Sequence, residues 1–357
     1  MPPGPVFVSP ERAQVEGSLR RQHRSPRPTD MANLCALFFS FFYFAILIPC
    51  IQVTDKEFRC KFLVIPQPEF NGEFPSDRFD IDDEYLDLDC YCGDLSVNFA
   101  KELMEKGSFK TAHPGRVRLV DNVDLPPFTN GMVCVKQVYE KRGEEGEKIG
   151  RVPGRYEADA LSVECNVLQW ASILLDMTYQ FIDREIAIRG EPCHQIPRLR
   201  FTRTMVALVK DAAKEKAFLV EEWINTDEVD NVYTKYITNR HSQSVVPFAA
   251  PQHMHDIAAF LIFAQHVQWQ KTHQLAFTSD YQGAGMLLSD PQVISKPYVN
   301  IIQSIPLLLT LMPASIEGTN LFGDGNLQST FHDFRTHHQC NDFCKFFGLT
   351  LEIQHER

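Results

Sequence analysis

The alternation of apolar and polar positions changes period along the chain. Residues 132–139, Met-Val-Cys-Val-Lys-Gln-Val-Tyr, alternate with period two and are β-branched and aromatic, which predicts a strand. Met205 to Val209 and Ala217 to Ile224 read the same way. From Ala158 to Ile188 the period lengthens: Leu161, Cys165, Leu168, Ala171, Leu175, Tyr179 and Ile182 recur at helical spacing and predict the longest helix. A second helix is expected over Met254 to Trp269, a short strand over Leu275 to Ser279 ending in Asp280, and a helical stretch with aromatic anchors over Thr330 to Phe347. Gly107 to Gly115 reads as a turn-rich loop, and Glu140 to Gly154, charged and Gly-containing, as a surface loop. Strands lead and helices follow, which suggests an α+β body of two lobes with a cleft between them.

Three stretches depart from this pattern. Residues 1–30 are Pro-rich and basic, with Arg12, Arg20, Arg21, Arg24 and Arg27 against Glu11, Glu16 and Asp30, and read as a disordered leader. Residues 31–54 carry no charge. About 20 apolar residues cross a bilayer core, so residues 32–51 stand as a membrane anchor with the basic leader on the cytoplasmic side. A buried helix, or sequence foreign to the mature protein, explains them equally; a signal peptide fits less well behind so long a leader. The third, Asp77 to Asp94, is acidic and reads as a solvated surface or a flexible lead-in. The pattern of a folded domain starts at Phe62, and residues 62–106 read as an acidic lead-in to the domain that follows.

Composition narrows the function. The chain of 357 residues has 35 Lys and Arg against 46 Asp and Glu, a net charge of −11, which argues against a general nucleic-acid binder. Ten Cys are too sparse for a disulfide scaffold and suit a reducing, cytoplasmic setting.

Chemistry concentrates in three clusters. His338-Gln-Cys340-Asn-Asp-Phe-Cys344 places two thiols at i, i+4 on what would be one helix face, beside an imidazole. Tetrahedral Zn²⁺ would need one more ligand; otherwise the cysteines are small core residues. Asp280-Tyr-Gln282-Gly and Leu288-Ser-Asp290-Pro291 set oxygen ligands at strand ends, a set suited to Mg²⁺, although an Asp at a strand end commonly serves a turn. Phe322-Gly323-Asp-Gly325-Asn326 is either an anion-binding backbone or an ordinary tight turn. Lys136 lies within an apolar strand and either snorkels to solvent or meets a charge, a carboxylate such as Glu164 or a nucleotide phosphate.

In this order the clusters resemble the alpha-kinase family of atypical protein kinases, and the variant Gly107-Ser-Phe-Lys110-Thr-Ala looks like its fungal branch. The resemblance implies a two-lobed, atypical protein-kinase-like fold with a zinc-stabilised C-terminal lobe. The catalytic domain would span 107–350, the N-lobe about 107–224 and the C-lobe about 225–350. It implies a serine/threonine protein kinase using ATP and Mg²⁺, with ATP and a protein substrate as partners. Lys136 would meet the ATP phosphates with Lys110 in the nucleotide loop, Glu164 would pair with Lys136, and Glu221 would stand at the hinge near adenine. Lys235 would reach the nucleotide side of the cleft, Asp280 would orient the acceptor hydroxyl, and Gln282 and Asp290 would hold Mg²⁺. Gly323 and Gly325 form the glycine loop. The family also places a His fourteen residues before the catalytic aspartate, which makes His266, rather than His273, the fourth zinc ligand beside His338, Cys340 and Cys344.

Two departures from the family pattern support an alternative, a zinc-stabilised pseudokinase acting as a binding module. Gln328 replaces the third Gly of the loop and is expected to strain a turn. The stretch from Asp290 to Phe322 is longer than in relatives and holds the apolar run Ile301 to Leu311. Residues 293–313 are either an extra hydrophobic element or non-coding sequence carried into the translation.

Overall fold

The computed structural model describes residues 55–66, 70–72, 90–103, 110–120, 123–129, 131–142, 148–152, 154–210, 216–226, 231–296 and 322–351. The leader, the apolar segment 31–54, most of the acidic stretch and the run 301–311 lie outside them. Among the described residues no helix is long and apolar enough to cross a membrane.

Strands β1 (Lys56–Val64), β2 (Cys90–Val97), β3 (Lys110–Leu119), β4 (Met132–Arg142), β5 (Lys148–Arg151), β7 (Thr204–Val209) and β8 (Ala217–Glu222) form one sheet in the order β3-β2-β1-β7-β8-β4-β5. Because β3 also pairs with β4, six of these strands close into an antiparallel ring. Closure removes exposed edges, and the period-two pattern then sorts side chains to two faces. Cys60, Phe62, Leu95, Val97, Val133, Val135, Met205, Ala207, Phe218 and Val220 fill one core. Alternate residues, among them Leu63, Val138, Val206 and Leu219, pack on Leu161, Cys165 and Leu168 of the following helix.

That helix, α1 (Gly154–Arg189), is 36 residues long, about 54 Å at 1.5 Å per residue. Its first half packs on the sheet, and its second half, from Val167 to Ile182, belongs to the other lobe's core. There it meets α2 (Gln252–Lys271), whose Phe260, Leu261, Phe263 and Val267 are fully buried. Around α2 lie a four-stranded sheet, β6 (Arg200–Phe201), β12 (Leu287–Ser289), β11 (Gln282–Ala284) and β9 (Thr234–Lys235), and the pair β10 (Ala276–Ser279) with β13 (Gln292–Ser295). Helices α3 (Gln328–His337) and α4 (Asp342–Phe346) close the lobe.

Four sequence expectations are corrected. Strand β2 lies inside the region 62–106 read as an acidic lead-in, and β1 runs into its start; the buried Cys60, Phe62, Leu95 and Val97 hold them in the ring despite the acidic stretch between them. The supposed loop Gly107–Gly115 contains the first half of β3. Its Pro114-Gly115 pair falls where the strand passes from β4 to β2: residues 110–116 pair with β4 and 115–119 with β2. A side chain at Gly115 would collide with the Ser96 carbonyl, 2.7 Å from an added Cβ. The supposed loop 140–154 carries the end of β4 and all of β5. The expected helix 330–347 is two helices, broken at His338–Asn341, with the Asn341 side chain accepting from the Cys344 N–H at 3.2 Å.

Candidate active site and metal centre

The strands meet at a cluster of charge. Lys136 on β4 lies opposite Leu219 of β8 and diagonal to Glu221. Its Nζ is 2.8 Å from Glu221 Oε1 and 3.5 Å from Asp290 Oδ1. Lys110, at the start of β3, donates to Asp290 at 2.6 Å and to Glu164 of α1 at 2.5 Å. On the C-lobe side Lys235 of β9 lies opposite Gln282 of β11. Its ammonium reaches Asp280 at 2.8 Å and Gln282 Oε1 at 3.1 Å. Gln282 Nε2 donates to the Asp290 carbonyl at 3.3 Å. Lys110, Lys136, Lys235, Glu164, Glu221, Asp280, Gln282 and Asp290 thus form one connected group spanning both lobes. The expected pairing is corrected: Glu164 holds Lys110, and Glu221 holds Lys136.

Asp280 and Asp290 share an unusual backbone, with φ of 59° and 54°. Aspartate tolerates this left-handed region better than most side chains, and each residue turns its carboxylate out of a strand end. Asp280 ends β10, where the Asn239 N–H donates to its Oδ1 at 3.0 Å.

The electrostatics of the two acids differ. Burial alone would raise the Asp290 carboxyl, but Lys110 and Lys136 overcome it and hold the group well below the usual carboxylate range. Burial likewise disfavours charged Lys110 and Lys136, yet Asp290, with Glu164 for the first and Glu221 for the second, keeps both firmly protonated. For Asp280 burial wins: Lys235 offsets it only in part, the charge on Asp290 adds to it, and the carboxyl is raised. One acid is therefore a fixed anion and the other is better suited to take a proton.

Gly323 and Gly325 lie in a 3₁₀ turn tied to β13, with Asn326 Oδ1 accepting from the Ser295 N–H at 2.9 Å and Asn326 Nδ2 donating to Ser295 Oγ at 2.8 Å. Their link to the charge cluster runs through β13, which begins two residues past Asp290. An added Cβ at Gly325 would stand 1.4 Å from Gln292 Oε1, so only glycine lets that side chain lie over the turn. Gln328 is exposed in the first turn of α3 and is not among the residues with positive φ. The strain expected from it is absent, because a helix start makes no demand for glycine.

The second site lies beneath α2. His266, His338, Cys340 and Cys344 bring one ligand atom each to within 4.8 Å of one another, and His266 rather than His273 completes the set. Cys340 Sγ is 3.6 Å from His266 Nδ1, and Cys344 Sγ is 3.8 Å from His338 Nε2. Bonds of about 2.1 Å to nitrogen and 2.3 Å to sulfur around a tetrahedral ion set such edges near ~3.6 Å. Burial lowers His338 to about 3, with His266 adding to the effect, and raises the Cys344 thiol to about 12. A bound metal would draw the protons off the thiols. The donor set therefore fits zinc. Cys340 precedes α4, so the two thiols meet across a helix N-terminus and not along one helix face.

The sequence showed no sign of Tyr233, whose hydroxyl bonds Ser289 Oγ at 2.7 Å beside the cluster, or of Asn239, which acts through its main chain. Neither carries a residue-type pattern.

The family model for alpha-kinases, described as "Alpha-kinase family", matches residues 105–344. The chain belongs to the alpha-kinase family. Similar solved structures include the apoenzyme alpha-kinase domain of myosin-II heavy chain kinase A, at 15% identity, TM-score 0.47, and coverage of 83% of this chain and 98% of that one. The ADP complex of the myosin heavy chain kinase A domain matches at 15% identity and TM-score 0.46, covering 83% and 98%, and the AMP-PNP complex at 15% and 0.46, covering 83% and 97%. None of the curated proteins matches the chain. This alpha-kinase pairs a two-lobed mixed fold with a His/Cys cluster able to hold a metal.

Proposed function

We propose that this alpha-kinase transfers the γ-phosphate of ATP to serine or threonine hydroxyls of a protein substrate. One observation carries the reading: the ammonium of Lys136, from the N-lobe, stands 3.5 Å from the carboxylate of Asp290, from the C-lobe. A triphosphate between the lobes would be gripped from both sides. The proposed catalytic body runs from Lys56 to Leu351, its N-lobe extending upstream of Gly107 to include β1 and β2.

Phosphoryl transfer asks mainly for positioning and for positive charge around the phosphoryl oxygens. Lys136 and Lys110 supply that charge from the N-lobe, and Lys235 from the opposite wall. Asp290 and Gln282 offer oxygens for Mg²⁺, which when bound would neutralise charge on the β- and γ-phosphates. Asp290 is held by Lys110 and Lys136, so nucleotide loading would exchange ammonium contacts for phosphate and cation contacts. Asp280 orients the acceptor hydroxyl, whose oxygen bonds to the γ-phosphorus as the bond to ADP breaks, and the hydroxyl proton passes to the carboxylate. Glu221 sits at the N-lobe end of the hinge and fixes Lys136. His266, His338, Cys340 and Cys344 would hold zinc, which pins α3 and α4 to α2.

The test is incorporation of labelled γ-phosphate into a basic protein substrate by zinc-loaded protein, with Asp290→Ala as control and phosphoamino-acid analysis of the product. Label on serine or threonine that is lost in the variant supports the reading. Incorporation no greater than that of the variant overturns it.

A further inference from the structure

Besides the Lys235 ammonium, Asp280 is held by a main-chain segment. Asn239 donates its N–H to Asp280 Oδ1 at 3.0 Å. Its carbonyl, at the other end of the same residue, accepts the hydroxyl of Thr330 at 2.7 Å. The segment is otherwise stitched to the strand that carries Asp280: Ser279 Oγ donates to the Thr238 carbonyl at 2.8 Å, and the Tyr236 N–H donates to the Tyr281 carbonyl at 2.9 Å. The Thr330 bond reaches it from a different element. Thr330 lies in the first turn of α3, is 3% exposed, and belongs to a helix with the glycine turn at its N-terminal end and His338 as its C-cap. A second bond from the same loop, Gln243 Nε2 to the His337 carbonyl at 3.3 Å, ties the far end of α3.

We infer that Thr330 is a positioning residue for phosphoryl transfer, fixing Asn239, and through its N–H the Asp280 carboxylate, to the helix that ends in the candidate metal centre. The inference rests on the proposed kinase reading. A carboxylate that must present one oxygen to an incoming hydroxyl loses rate when its orientation is averaged. The hydroxyl of Thr330 is well placed to limit this, because it is buried and short-bonded to the carbonyl that flanks the same Cα as the Asn239 N–H, and so restricts the backbone torsions of Asn239. The arrangement also gives the metal centre a physical route to the cleft. Loosening α3 at His338 would release Thr330 near its other end, eight residues away.

Thr330→Val keeps the β-branched shape and removes only the hydrogen bond, whereas Thr330→Ser keeps the bond and removes a methyl group. Two readouts are compared on full-length, zinc-loaded protein: steady-state phosphoryl transfer, and amide hydrogen exchange of the peptide containing Asn239. We expect Thr330→Val to lower kcat by roughly tenfold with KM for ATP within about twofold, to speed exchange at Asn239 by roughly fivefold, and to leave zinc content unchanged. Thr330→Ser should restore both values to within about twofold of the starting protein. If Thr330→Val leaves exchange at Asn239 and kcat unaltered, or if Thr330→Ser falls as far as Thr330→Val, the inference is overturned. Should Thr330→Val lose its fold, Thr330→Ala takes its place against Thr330→Ser, with the same criteria. The exchange arm does not depend on turnover, so a starting protein without transferase activity contradicts the kinase reading while the tie from Thr330 to Asn239 is still read directly.

Discussion

The cleft and the His/Cys centre both gather groups that bind cations, yet they are balanced in opposite ways. In the cleft, Glu164, Glu221, Asp280 and Asp290 are already met by Lys110, Lys136 and Lys235. At the His/Cys centre two imidazoles and two thiols face one another with no positive group among them. The acids of the cleft are therefore balanced by the protein's own lysines, and under the proposed function nucleotide and cation would exchange for those contacts. The other centre would gain cohesion from a bound cation and, under the proposed function, should keep it permanently. From this follows a division of labour: substitutions in the cleft should alter rate, and substitutions at the His/Cys centre should alter the fold.

The largest effect expected on that division is in rate. Asp290→Ala should lower phosphoryl transfer by roughly a hundred- to a thousandfold while shifting the melting midpoint by only a few degrees or less. A variant that melts far below the starting protein would show that the cleft also carries the fold and would break the comparison.

Next comes the converse. Cys344→Ser should lower the midpoint by roughly 10 °C or more, and a strong chelator should reproduce that drop in the unsubstituted protein but not add to it in the variant. Calorimetric melting with metal analysis of each sample checks this. Equal midpoints with and without metal would make the cysteines ordinary core residues.

How much of this was legible beforehand differs between the two sites. The metal quartet was readable because His338, Cys340 and Cys344 are adjacent in sequence, and the family spacing supplied His266. The cleft residues were readable singly and not in their pairing. Whether Glu164 meets Lys110 or Lys136 depends on the β4–β8 register, which sets Glu221 diagonal to Lys136, and on where α1 passes over the sheet. Neither leaves a periodic trace. Strands β1 and β2 were hidden by the acidic residues between them, and β3 by a Pro-Gly pair that marks a change of partner strand rather than a turn. The bond from Thr330 to Asn239 was invisible for a simpler reason: a carbonyl acceptor is present at every position, so nothing in the sequence marks the one that is used.

A smaller effect sharpens the comparison through pH. The Asp290 carboxyl is depressed in the folded state, whereas an unfolded aspartate titrates near ~3.9. The stability it contributes is thus fully present above the unfolded value and is lost as pH falls through the folded one. Asp290→Asn should melt a few degrees below the starting protein at neutral pH, and the gap should begin to narrow once pH falls below about 4 and keep shrinking as pH drops further. A gap that stays constant from pH 7 to pH 3 would mean that the lysine contacts of Asp290 contribute nothing through its charge.

The shared grip of the two lobes on one triphosphate is tested most directly by calorimetric titration of Mg·ATP into the zinc-loaded protein and its Lys136→Met variant. The account predicts one nucleotide per chain, with affinity reduced at least about tenfold in the variant at unchanged zinc content. Equal affinity in the two proteins would contradict it, because the ammonium of Lys136 would then stand beside Asp290 without ever meeting a phosphate.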